Sequence, residues 1–214
     1  MFSLIHREIS GKQECCKNIL PVVADLTEWE ATRTQLENLP ALHGVVNNAG
    51  TALPWKSSLD VNKGACEDLF ALNVYGALNV IQVMARKMKE AGIAGSIVNV
   101  SSVKSLSAFR DSLAYNMSKA SLDTISRQFA LELGPHNIRV NSVNPTLVTT
   151  PLGMRAWTNP PKNLERLMFH TPLGRPAEME DVVQPILYLL SDCSRMVTGS
   201  VHRVDGGLLS NVPV

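Results

Sequence analysis

Ser102, Tyr115 and Lys119 put a hydroxyl, a phenol and an ammonium into one short span of the chain. Tyr115 and Lys119 are one helical turn apart, so both side chains leave the same helix face and reach the same small volume. A phenol titrates near about 10 and a lysine near about 10.4, and a cation close to a phenol favours phenolate. The spacing therefore predicts that Lys119 draws the Tyr115 pKa down toward working pH. A phenol tuned in this way is a general acid for a carbonyl oxygen that is gaining negative charge. Ser102 ends the apolar run 95–100, which reads as a buried strand, and can donate a second hydrogen bond to the same oxygen. A Tyr and a Lys at this spacing also fit a solvated helix face, so the elements around them decide.

The composition is that of one soluble globular domain: 214 residues, 45% hydrophobic and 18% charged. A net charge of +1 argues against a nucleic-acid partner, which needs a concentrated basic face. No uninterrupted apolar run reaches the length of a membrane span, and Met1 to Ile5 is soon broken by His6, Arg7 and Glu8, so neither a span nor a signal peptide is expected. Cys15, Cys16, Cys66 and Cys193 lack C-x-x-C spacing, and His43, His136, His170 and His202 lack paired spacing. The expectation is reduced thiols, no metal and a cytoplasmic location.

Strand and helix patterns alternate. Residues 19–24 read as a strand ending at Asp25, with Thr27 as N-cap of a helix over 28–37. Further strands are expected at 42–47, 95–100 and 138–143, and helices at 63–91 and 111–133, the last stopped by Gly134-Pro135. An apolar helix over 182–190 carries Pro185 in its first turns, where proline costs least. Strands separated by helices of this length predict an α/β fold, a three-layer parallel sheet with helices on both faces. Ligands bind such sheets at the carboxyl ends of the strands, where Asp25, Asn47, Ser102 and Asn144-Pro145 fall. The stretch 145–175 is too long and Pro-rich for a simple connection and is expected to form a lid, in which Trp157 either walls the substrate pocket or packs.

In order and spacing, Asp25-Leu26, Asn47-Asn48-Ala49-Gly50, Asn73, Ser102, Tyr115-x-x-x-Lys119, Asn144-Pro145 and Asp205-Gly206-Gly207 resemble the Rossmann-like short-chain dehydrogenase/reductase family. Leu133-Gly134-Pro135-His136, Asn144-Pro145-Thr146, Trp157 and Pro172-Leu173-Gly174 are similar to its dicarbonyl/L-xylulose reductases and their tetrameric carbonyl reductase relatives. Thr146 stands where most of the wider family has glycine.

The resemblance implies reduction of a small carbonyl or sugar substrate by NADP(H), with NAD(H) as the competing coenzyme, and a homotetramer in the full-length form. It makes Tyr115 the proton donor, lets Lys119 hold the nicotinamide ribose as well as tune the phenol, and has Ser102 steady the substrate oxygen. Asn73 would help to hold a water on the proton relay, or would be an exposed polar residue of its helix. Asp25 and Leu26 would meet the adenine, Asn47, Ala49 and Gly50 would let the cofactor approach the backbone, and Val148 and Thr150 would face the nicotinamide carboxamide. Ser102, Tyr115 and Trp157 would contact substrate.

One departure stands out. The family opens with a strand, a glycine-rich turn and a helix, whereas Gly11 is the single glycine before Asp25. The fold is therefore expected to be N-terminally truncated, a single domain over 1–214 without its first strand, glycine-rich turn and first helix. Without the backbone donors that cradle pyrophosphate, coenzyme affinity is expected to be weak. A form without turnover, acting only as a partner in a relative's oligomer, is the alternative.

Overall fold

In a computed structural model of the chain, the described residues are 21–52, 55–157 and 162–211. They form four parallel strands, β1 (Gly44–Asn47), β2 (Ser96–Val100), β3 (Arg139–Pro145) and β4 (Val201–Val204), paired in that order. The register sets Val45 beside Ile97, Ile97 beside Val140 and Val143 beside His202. Between Trp29 and Leu190 run α1 (Trp29–Glu37), α2 (Lys63–Phe70), a π-helical turn (Ala71–Gly76), α3 (Ala77–Glu90), α4 (Leu113–Leu133), α5 (Pro151–Trp157), α6 (Lys162–His170) and α7 (Met179–Leu190).

Side chains alternate along a strand, and this alternation builds the three layers. Ile97 and Val140 join Ile81, Met84, Met88 and Ala130, from α3 and α4, in a core on one face of the sheet. Val98 and Val143 join Val182 and Leu189, from α7, in a core on the other. Ile81 and Met88 are fully buried, each contributing about 1.5–3 kcal/mol relative to exposure. The predicted parallel sheet with helices on both faces is thus the fold observed.

Boundaries differ where local polar chemistry intervenes. Ile19 and Leu20 lie outside the described residues, and Pro21–Ala24 is not a strand: Pro21 has no N–H to give, Val22 and Val23 are exposed, and β1 pairs only with β2 among the described strands. Thr27 is not an N-cap. Its N–H and hydroxyl donate to Asp25 Oδ1 at 3.0 and 2.7 Å in an Asx turn, and the helix starts one residue after Glu28. Helix α4 begins at Leu113 rather than at Asp111, whose φ of +59° is incompatible with a right-handed helix. Pro185 sits inside α7, in its second turn.

The continuous helical stretch Lys63–Glu90 has the length and composition of a membrane span, which the sequence reading did not anticipate. Its Leu69, Val80, Ile81, Met84 and Met88 are buried in this protein, so it is a core helix here. The stretch 145–175, expected as a lid, contains β3's last residue and the helices α5 and α6.

Candidate active site

Strand β2 delivers Ser101 and Ser102 to the carboxyl edge of the sheet, where a tight turn stops the strand. Ser102 Oγ accepts the Lys104 N–H at 3.2 Å, and the Ser102 carbonyl accepts from both the N–H and the hydroxyl of Ser105. The first turns of α4 then bring Tyr115 and Lys119 to the same place, and all three line one cavity of about 550 Å³. The Ser102 hydroxyl acts on the Tyr115 phenol, favouring its ionised form. Lys119 Nζ lies 5.8 Å from the centroid of the Tyr115 ring and donates to the Val100 carbonyl at 2.9 Å.

Burial governs the charges. It pushes the Tyr115 phenol up to about 12, against the smaller opposing pull of the Ser102 hydrogen bond. It draws Lys119 down to about 8, partly opposed by the nearby Asp123 carboxylate. The expected lowering of the phenol by Lys119 is therefore not found in this state: the groups that act on it are its buried surroundings, which raise it, and Ser102. The result is a neutral phenol at neutral pH, the proton-bearing form that a donor needs.

Asn73 is buried in the π-helical turn, not exposed. Its Nδ2 donates to the Thr51 carbonyl at 2.9 Å and to Ser118 Oγ at 3.1 Å, while its Oδ1 accepts the Thr51 N–H at 2.9 Å. This two-way clasp fixes the chain just after Gly50 against α4. A Cβ on Gly50 would lie 3.2 Å from Asn73 Oδ1 and 3.5 Å from Lys119 Nζ, so Gly50 brings the backbone close to both. Behind Ser102, Asn144 Nδ2 donates to the Ser102 carbonyl at 3.0 Å and to Asp123 Oδ2 at 2.9 Å. Asp123 Oδ2 also takes the Ser105 hydroxyl at 2.5 Å.

Of the expected cofactor contacts, Gly50, Tyr115, Lys119, Val148 and Thr150 line the cavity. Gly153 stands beside Val148 and Thr150 because any Cβ there would meet the Val148 carbonyl at 2.2 Å. Asp25, Leu26, Asn47 and Ala49 do not line it. Asp25 is engaged by Thr27, Leu26 packs on Gly76, and Asn47 Nδ2 is committed to Asn99 Oδ1 at 2.8 Å. The residues present fit the nicotinamide end of a dinucleotide, and those expected at its adenine end are not gathered with them. Trp157 ends α5, but its side chain lies outside the described residues, as do Met1 to Ile5, His6-Arg7, Cys15 and Cys16.

The sequence reading missed Trp55, Lys104 and Asp123. Lys104 was in plain view two residues past Ser102, and Asp123 one turn past Lys119, but neither spacing carries a signal without the turn and the sheet edge that aim them. Thr146, singled out from sequence, lines the cavity, and its buried hydroxyl has no hydrogen-bond partner among the described residues. No cluster of three or more His, Cys, Asp or Glu suited to a metal occurs among the described residues.

Comparison with known proteins sets this site in context. A family profile described as enoyl-(acyl carrier protein) reductase matches residues 12–209. The chain is similar to L-xylulose reductase of Mus musculus, 45% identical over 91% of this chain and 79% of that protein. It is also similar to carbonyl reductase (NADPH) 2 of Sus scrofa, 42% identical over 95% and 82% respectively. Among solved structures it resembles a gluconate 5-dehydrogenase from Burkholderia cenocepacia in complex with NADP and tartrate, with a TM-score of 0.84 and 27% identity over 89% of this chain and 75% of that one. Identity at this level along most of its length, on a fold shared this closely, shows that the chain belongs to the short-chain dehydrogenase/reductase family: it is a nicotinamide-dependent oxidoreductase acting on CH–OH and C=O groups.

Proposed function

We propose that the chain is an NADPH-dependent carbonyl reductase of the L-xylulose/dicarbonyl type. The observation that carries this reading is the convergence of Ser102, Tyr115 and Lys119 on one cavity, where burial keeps the phenol neutral. Tyr115 gives its proton to the substrate oxygen as negative charge develops there, and the Ser102 hydroxyl donates to the same oxygen. Lys119, held on the Val100 carbonyl, presents positive charge beside the phenolate that remains. Asn73 keeps Thr51 and Gly50 in register beside that ammonium. Gly50, Val148 and Thr150 would hold a reduced nicotinamide, which would supply the hydride when bound.

NADP(H) is preferred to NAD(H) in this reading because a similar reductase is named for NADPH and a structural neighbour holds NADP. Residues 1–214 act as one domain, and the working form is a homotetramer. A second reading is a chain without turnover that serves as a subunit in a relative's oligomer. Initial rates of NADPH and NADH oxidation with diacetyl and with L-xylulose discriminate the two. The first reading requires carbonyl-dependent oxidation, faster with NADPH. Folded protein that oxidises neither coenzyme would favour the second.

A further inference from the structure

Asp123 is a buried carboxylate on the same face of α4 as Lys119, one turn further along. Its Oδ2 accepts the Ser105 hydroxyl at 2.5 Å and the Asn144 Nδ2 amide at 2.9 Å, and Ser105 Oγ in turn takes that amide at 2.8 Å. Both partners also reach the Ser102 carbonyl, Ser105 Oγ at 2.7 Å and Asn144 Nδ2 at 3.0 Å. Ser105 has one hydroxyl proton, and a carboxylate holds it more strongly than a carbonyl does. Asp123 thereby fixes how Ser105 and Asn144 stand against the backbone of Ser102.

The other oxygen is used differently. Asp123 Oδ1 is buried, and no hydrogen bond reaches it among the described residues. A buried carboxylate is costly unless an opposite charge answers it. Lys119 supplies that charge: its ammonium bonds to the Val100 carbonyl, and the Asp123 carboxylate acts on it through space, against the burial that draws it down. The ends of β2 and β3 bring only uncharged groups to this place, Ser101, Ser102, Asn144 and Pro145, and the π-helical turn brings Asn73. Of the ionisable groups lining the cavity, Tyr115 stays neutral, Lys104 is a second buried lysine, and Asp68, Asp111 and Lys56 are exposed. Asp205, the other buried carboxylate among the described residues, is occupied in capping the turn at Gly207 and Leu209.

Building on the reductase reading, we propose that Asp123 is a positioning residue shared by Ser102 and Lys119. Through Ser105 and Asn144, one oxygen sets the strand end that carries the serine hydroxyl, while the charge of the carboxylate holds the lysine as ammonium. The donor to the substrate oxygen and the cation beside the phenol are then not independent parts. A change at this one side chain disturbs both, by two routes that substitution can separate.

The test takes the routes apart. Asp123→Asn keeps an oxygen for Ser105 and Asn144 but removes the charge, whereas Ser105→Ala removes a support of Ser102 and keeps the charge. In protein carrying isotope-labelled lysine, the Lys119 NMR signal, assigned by its loss in Lys119→Met, is followed against pH. Its midpoint, about 8 in the parent, is expected to fall in Asp123→Asn and to stay in place in Ser105→Ala, with the Lys104 midpoint unmoved in both. A double-mutant cycle then measures kcat with diacetyl. Ser105→Ala is expected to lose about tenfold in the parent background and little in Ser102→Ala, where the hydroxyl it supports is gone. An unmoved Lys119 midpoint in Asp123→Asn, or a Ser105→Ala loss that is the same with and without Ser102, overturns the proposal. If the parent does not reduce diacetyl, the reductase reading fails on its own and the lysine titration still decides Asp123.

Discussion

The Lys119 ammonium lies 5.8 Å from the centroid of the Tyr115 ring, yet its hydrogen bond goes to the Val100 carbonyl at 2.9 Å and not to the phenol. Proximity alone therefore does not make the phenol acidic. Both groups are set by burial, Tyr115 upward and Lys119 downward. Tyr115 is thus a proton donor and Lys119 a buried cation, and their balance depends on the residues around them.

Asp123 is the carboxylate that keeps Lys119 charged. Replacing it with Asn preserves shape while removing the negative charge, so Lys119 should lose its proton at a pH below about 8. The alkaline limb of kcat/KM against pH is expected to move to lower pH in Asp123→Asn. An unmoved limb would mean that Lys119 does not set it.

Asn73 joins Thr51 and Ser118 through three hydrogen bonds. Asn73→Ala leaves the Thr51 backbone groups buried or partly buried without these partners, at a cost of about 3 kcal/mol. Urea unfolding should show a lower midpoint with an unchanged slope, and reductase activity should fall with it. A variant as stable as the parent would contradict the clasp.

Much of this was legible in advance, and the reasons are physical. The parallel sheet follows from apolar runs such as Ile97 and Val98 separated by helices, because burial on both faces leaves a continuous apolar signature. Tyr115 and Lys119 share a cavity because one helical turn separates them. Asn73's clasp was invisible, since a π-helical turn leaves no periodic mark and its partner, Thr51, lies in a different element. Burial, too, belongs to the folded chain: the spacing of Tyr115 and Lys119 is read from sequence, but the desolvation that reverses the expected phenol shift is not.

Lys104 should cost stability at neutral pH. Its folded pKa, about 8, lies below its ordinary 10.5, so between these values the unfolded chain binds more protons and stability rises with pH. Lys104→Met is expected to be more stable than the parent at pH 7, by up to about 3 kcal/mol, with the gap closing as pH rises from 8 to 10.5. Thermal unfolding of both proteins across that range checks it. A gap that widens with pH would reverse the assignment.

The most direct measurement is the rate of NADPH-dependent reduction of diacetyl by Tyr115→Phe beside the parent, with coenzyme binding measured on both. If Tyr115 donates the proton, the variant should lose at least about a hundredfold in kcat while binding coenzyme as the parent does. Equal rates would remove Tyr115 from the chemistry and, with it, the reading of the cavity built by Ser102, Tyr115 and Lys119 as the reducing site.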